Sequence, residues 1–74
     1  MTLDQLSIGK SARVLEVTGG PGLHRNLSQM GIHSGDMIKI SGASAFRGPI
    51  LVEIHGSRIA LGRGVARRIL IEPM

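Results

Sequence analysis

The chain has 74 residues, 42% hydrophobic and 19% charged, and its nine Lys and Arg against five Asp and Glu give a formal net charge of +4. That length allows a single domain, the composition is that of a folded globular protein, and the absence of cysteine excludes a disulfide scaffold or a thiolate metal cluster. No apolar run approaches the roughly 18 residues of a membrane span, and Asp4 stands where a signal peptide would be basic, so a cytosolic setting is expected.

Phe46 is the only aromatic residue, so isoleucine, leucine, valine and methionine must fill the core. At the N-terminus, Leu3 and Leu6 make a pair expected to tuck onto that core. Gly9 then opens a first strand over 12–17. Its alternation is imperfect: Leu15 and Val17 share a face with Arg13 while Val14 lies opposite, which predicts a bulge or strong bend of the kind small barrels need. The glycines between Thr18 and Gly22 break the strand.

A helix is predicted over 22–30, with Leu23, Leu27 and Met30 on one face at spacings of four and three. Gly31 stops it. With Gly31 in left-handed geometry as the residue after the cap, Leu27 and Ile32 occupy the two positions whose apolar contact closes a Schellman cap. Ser34 and Gly35 supply a turn before Asp36, and a second strand is expected over 36–41.

A loop of mostly small residues, 42–48, carries Phe46 at its tip. The third strand, 50–55, sets Ile50, Val52 and Ile54 on one face and Leu51, Glu53 and His55 on the other. Gly56-Ser57 reads as a two-residue hairpin connection to a fourth strand over 58–61. Residues 62–67 read as a polar crossover with one turn of 3₁₀ helix, and a fifth strand over 69–72 ends at Pro73. Five short strands and one short α-helix after the first strand predict a mainly β fold, a small antiparallel barrel of the SH3-like kind. An OB-fold, with a similar strand count, normally has longer strands and its helix between the third and fourth.

In order and spacing, Leu3-x-x-Leu6-x-x-Gly9, Leu27-x-x-Met30-Gly31-Ile32-x-x-Gly35, Gly48-Pro49, Gly56-x-x-Ile59-Ala60-Leu61 and Ala66-x-x-Ile69 resemble the FeoA family of bacterial ferrous-iron transport accessory proteins. The resemblance covers nearly the whole chain. It implies a non-enzymatic partner of FeoB, the membrane transporter that carries a cytosolic GTP-binding domain, and a location at most peripheral to the membrane through that partner. Members usually carry an arginine where this chain has Asn26; Arg25, one step earlier, points roughly 100° away on the helix. The barrel is also similar to the C-terminal domain of the diphtheria-toxin-repressor family, whose N-terminal helix-turn-helix has no room in this chain.

Metal chemistry would have to come from His24, His33 and His55, with Glu53. None of these has the tight spacing of a preformed site, so exposed histidines and no resident cofactor are expected, with at most a weak or transient contact with ferrous iron. Catalysis has no support: Ser57 beside His55 lacks a third partner, and the Thr18–Gly22 loop lacks the lysine of a phosphate-binding loop. Without Trp or Tyr, neither a proline-peptide groove nor base stacking on single-stranded nucleic acid is favoured. The cluster Arg58, Arg63, Arg67 and Arg68 leaves a basic nucleic-acid-binding module as the alternative, although such a cluster also serves simply as a solvated face. Protein recognition remains, with Arg25, Phe46, Arg47, Leu51 and Leu70 as candidate contacts.

Overall fold

The computed structural model describes residues 1–43 and 48–74. A 3₁₀ turn, Leu3–Gln5, precedes β1 (Ser11–Val17), α1 (Pro21–Gln29), β2 (Met37–Ala43), β3 (Ile50–Ile54), β4 (Ser57–Leu61), α2 (Arg63–Ala66) and β5 (Ile69–Pro73). The strands form one antiparallel sheet in the order β4-β3-β2-β1-β5. The molecule's nearly equal extents, 29 × 25 × 23 Å, fit a sheet that wraps around its own apolar face. Among the described residues β4 and β5 do not pair, so the barrel is open along that seam. α2 connects the two edges. No helix among the described residues is long and apolar enough to cross a membrane.

Every buried residue is aliphatic, and among the described residues no polar or charged residue is buried. Leu3 is fully buried and Leu6 packs beside the core, as the N-terminal pair implied. The segment is tied down further by the Ile71 N–H, which donates to the Met1 carbonyl at 2.8 Å, and by a β-bridge from Thr2 to Leu70.

The curvature has local causes. In β1 the register against β5 shifts between Val14 and Glu16, a bulge at the place where the hydrophobic alternation fails. Its effect on the faces differs from the simple alternation: Val14 and Val17 both point into the core, while Leu15 is turned outward and 47% exposed. The extra residue re-phases the strand, so Leu15 and Val17 no longer share a face. A second register shift, between Ile40 and Gly42 against β3, bends β2.

The helix stop follows the Schellman pattern. Gly31 has φ +85°, the Ile32 N–H donates to the Leu27 carbonyl at 2.9 Å, and the Gly31 N–H donates to the Ser28 carbonyl at 3.0 Å. Leu27 and Ile32 are both buried. Met30 departs from the expected apolar face: it is the capping residue, and it is 42% exposed. Only Leu27 and, in part, Leu23 hold α1 on the core. The reversal continues at Gly35, φ +92°, whose turn is closed by the Asp36 N–H donating to the His33 carbonyl at 3.1 Å. Val14 anchors that turn, accepting from the Gly35 N–H at 2.7 Å and donating to the Asp36 carbonyl at 2.8 Å.

Two further boundaries differ from the sequence reading. The β3–β4 connection is His55-Gly56, one residue earlier than expected, because Ile54 pairs with Ser57. Both turn residues have positive φ, 51° and 78°, the pair a type I′ turn requires. Histidine tolerates that region better than most side chains, and glycine takes the second place freely. The crossover before β5 holds a four-residue α-helix, α2, rather than a 3₁₀ turn, fastened by the buried Ala66.

Two substitutions test this account. A Cβ on Gly31 would meet only the His55 ring, at 3.8 Å, an ordinary contact. Gly31→Ala should therefore cost about 1–2 kcal/mol from backbone strain alone, and an unchanged denaturation midpoint would refute the cap. Leu27→Ala, which opens the core beneath α1, should cost about 2–5 kcal/mol in the same measurement.

Candidate functional site

The most organised polar feature lies where the α1–β2 reversal meets the β3–β4 hairpin. Asp36 is its centre. The carboxylate accepts the His33 backbone N–H at Oδ2, 2.8 Å, across the Gly35 turn. His33 Nδ1 stands 3.5 Å from the same oxygen, and His55 Nε2 stands 3.2 Å from Oδ1. The His33 and His55 rings are 57% and 61% exposed, whereas the Asp36 side chain is only 19% exposed.

Each position has a cause in the chain. The left-handed residue Gly35 turns Asp36 back over His33, so a spacing of three puts backbone donor and carboxylate together. His55 occupies the first position of the I′ turn, and its ring lies beside Gly31, 3.8 Å from where a Cβ there would stand. The pKa of Asp36 is held below the usual carboxylate range, first by the His33 backbone N–H; partial desolvation opposes this, and the two imidazoles reinforce it. Asp36 is thus a fixed anion at neutral pH, with two imidazoles on its two oxygens.

The candidate metal residues distribute around this point. His24 and His33 line one cleft of about 240 Å³ together with Glu16. His55 and Glu53 line another of about 310 Å³, beside Lys39 and Met37. Asp36, which links His33 to His55, was not among the candidates from sequence. The local signal was available as His33-x-x-Asp36 spanning a glycine turn, but the arrival of His55 depends on the hairpin register. Among the described residues, no group of three or more His, Cys, Asp or Glu side chains is arranged to hold a metal ion as the side chains stand.

The candidate protein contacts lie elsewhere. Arg25 is exposed on α1. Leu51 projects from the outer face of β3 between Gly42 and Ala60, its cross-strand neighbours. Those small neighbours leave it 39% exposed, with its Cδ1 3.5 Å from where a Gly42 Cβ would be. Leu70 is half-buried beside Thr2 on β5, two strands removed from β3 across β2 and β1, so the two leucines do not sit on neighbouring strands. Phe46 and Arg47 lie outside the described residues.

The arginine cluster divides. Arg58 joins a cross-strand row, Ser11–Lys39–Glu53–Arg58, and its Nε stands 3.4 Å from Glu53 Oε1. Arg67 and Arg68 instead line a shallow cleft with Thr18 and Gly64 at the crossover, with Arg63 on α2 nearby in sequence. Its floor is tied together by Thr18, whose N–H donates to the Arg68 carbonyl at 2.7 Å.

The Asp36 arrangement predicts a pH dependence. An acid whose folded pKa lies below its unfolded value stabilises the fold above that unfolded value, about 3.9, and the gain vanishes as pH falls through the folded pKa. Urea midpoints compared at pH 7 and in acid below the unfolded value should place the native chain above Asp36→Asn at pH 7, with the gap narrowing in acid. A gap of equal size at both pH values would show that the carboxylate charge is not its source.

This architecture has close relatives. A Fe(2+) transport protein A of Methanocaldococcus jannaschii is 34% identical over 64 residues, covering 86% of this chain and 76% of the relative. A crystal structure of an iron uptake regulatory protein, FeoA, superposes with a TM-score of 0.91 at 27% identity, covering 100% of this chain and 96% of that one. The Stenotrophomonas maltophilia FeoA, described as a prokaryotic SH3 domain protein and crystallised with zinc, gives a TM-score of 0.82 at 26% identity over 97% of this chain and 89% of that one. The fold alone is shared with a manganese-dependent transcriptional repressor, at 21% identity and a TM-score of 0.90, where it matches 41% of the longer chain. The FeoA domain family matches residues 1–73, and the chain belongs to it.

Proposed function

We propose that this chain is a non-enzymatic accessory protein of ferrous iron transport that works in the cytosol by docking on the cytosolic, GTP-binding part of a FeoB-type transporter. The observation that carries this reading is the family match over residues 1–73, joined to a relative of M. jannaschii whose name is that of an Fe(2+) transport protein.

The surface supports a docking role. An SH3-like barrel without Trp or Tyr has no aromatic groove for proline-rich peptides, so recognition must use aliphatic and cationic side chains. Leu51 is such a side chain, standing proud of the sheet between a glycine and an alanine. Desolvating it against a partner gains its apolar area at small cost in entropy, since β3 is a central strand and holds its backbone fixed. Arg25, with Phe46 and Arg47 of the neighbouring loop in sequence, adds the residue types enriched at interface hot spots.

A capture assay against the transporter's cytosolic region tests the reading. The native chain should bind, and Leu51→Asp should weaken capture by roughly fivefold or more, about 1 kcal/mol, without unfolding the protein. Arg25→Ala, Phe46→Ala and Arg47→Ala map the rest of the contact. Absence of binding by the native chain would overturn the proposal.

A further inference from the structure

We propose that the crossover from β4 to β5 forms a binding site for a phosphate monoester, held by Arg67 and Arg68 beside Gly64 and Thr18, with Arg63 as a third cation on the same helix. The inference stands on this cleft and does not depend on the docking reading above.

Helical spacing gathers the residues. At about 100° per residue, Arg63, Arg67, Gly64 and Arg68 fall within an arc of about 140°, and Ala66 lies outside it. Ala66 is fully buried, so the arc with the three guanidiniums is turned away from the core. The Arg67 and Arg68 N–H groups donate to the Arg63 and Val65 carbonyls at 3.0 Å and 2.9 Å, which carries the helical path past the end of α2. Arg67, Arg68, Gly64 and Thr18 then line a cleft of about 310 Å³. Gly64 keeps it open, since a Cβ there would meet nothing within 4 Å. Thr18 fixes the second arginine. Its N–H and its hydroxyl both donate to the Arg68 carbonyl, at 2.7 Å and 3.2 Å, so the backbone beneath that side chain is pinned to the end of β1.

The positive charge is left for a ligand. Arg58 stands against Glu53, but among the described residues Arg63, Arg67 and Arg68 form no ion pair. Asp4, on the 3₁₀ turn that packs against α2, accepts from the Thr2 hydroxyl instead. The Arg63 Nε is buried without a hydrogen-bond partner among the described residues, a cost that an arriving acceptor would remove. Three cations on one short segment match a ligand with more than one negative charge. A phosphate monoester carries about −1.5 to −2 near neutral pH and offers three acceptor oxygens to forked guanidiniums, whereas a carboxylate has a single charge and two oxygens. Among the described residues lining the cleft none is aromatic, so recognition falls on the phosphate and not on a stacked base.

The test is a titration of the ¹⁵N-labelled chain with inorganic phosphate and with glycerol 3-phosphate at constant ionic strength, followed through backbone and arginine side-chain signals. Thr18, Gly64, Arg67 and Arg68 should shift and saturate at roughly 1–10 mM, and chloride at equal ionic strength should not reproduce the shifts. Arg67→Gln and Arg68→Gln should each weaken binding about fivefold or more. Arg58→Gln makes the same change in net charge on the sheet and should bind as the native chain does. Gly64→Leu keeps every charge but fills the cleft, so it should abolish saturable binding; leucine favours a helix over glycine, and an undiminished denaturation midpoint would verify the fold. Sedimentation with phosphatidylcholine vesicles containing phosphatidic acid identifies the source of the phosphate. Capture that Gly64→Leu abolishes assigns it to a lipid headgroup, and no capture beside saturable glycerol 3-phosphate binding assigns it to a soluble compound. The proposal is overturned if neither soluble phosphate gives a saturable shift below about 50 mM. It is equally overturned if Gly64→Leu binds as the native chain does, or if Arg58→Gln weakens binding as much as Arg67→Gln, results that describe a diffuse basic surface of the kind that holds nucleic acid.

Discussion

The structure depends on the six-residue reversal from Gly31 to Asp36. Two glycines in left-handed geometry, separated by three residues, take the chain out of α1 and set it into β2. The first stop satisfies the helix's last carbonyls while burying Leu27 against Ile32. The second docks on Val14, next to the bulge that bends β1. Helix position, β1 curvature and the register of β2 against β1 are therefore set in one place, which explains why so short an α-helix is retained with little more than Leu27 and Leu23 facing the core.

A small aliphatic core adds its own constraint. With no buried polar residue among the described residues, no side-chain hydrogen bond specifies partners within the core, and uniqueness must come from shape and from backbone pairing. The two bulges do that work. Each re-phases a strand, so that Val14 and Val17 in β1 face the same core, while the N-terminal turn packs against both α2 and β5. The SH3-like outline is thus reached without a continuous ring of strand pairing.

The outer surface separates into distinct chemistries because the sheet alternates faces. A polar row runs from Ser11 to Arg58, Leu51 rises in the next row between two small residues, the arginines of the crossover lie at one end, and the Asp36 cluster lies at the helix end of β2. Neutralisation of Arg58 by Glu53 reduces the basic patch suggested by sequence to the crossover arginines. Family membership accounts for the shared scaffold, while these outward residues are where one member can differ from another at little cost to the fold.

Local chemistry made much of this legible in the amino-acid sequence alone. The five strands, the helix, the Schellman stop and the bulge in β1 each follow from interactions between residues near one another in the chain: apolar periodicity, a glycine forced to positive φ, an alternation that fails at one position. Met30 leaves the apolar face its spacing predicts because helical spacing does not reveal that the last turn has already left the core, and the hairpin turn falls one residue earlier than its sequence suggests because histidine at positive φ is uncommon. Asp36, His33 and His55 illustrate the other limit. The first two are joined by a turn that can be read from sequence, but the third comes from nineteen positions further on, brought in by the pairing of β2 with β3 and the one-residue phase of the β3–β4 turn. Sequence by itself determined the elements and the family, because those rest on short-range forces. Only the tertiary structure decided which side chains share a surface, because a one-residue change in strand register moves every side chain to the opposite face.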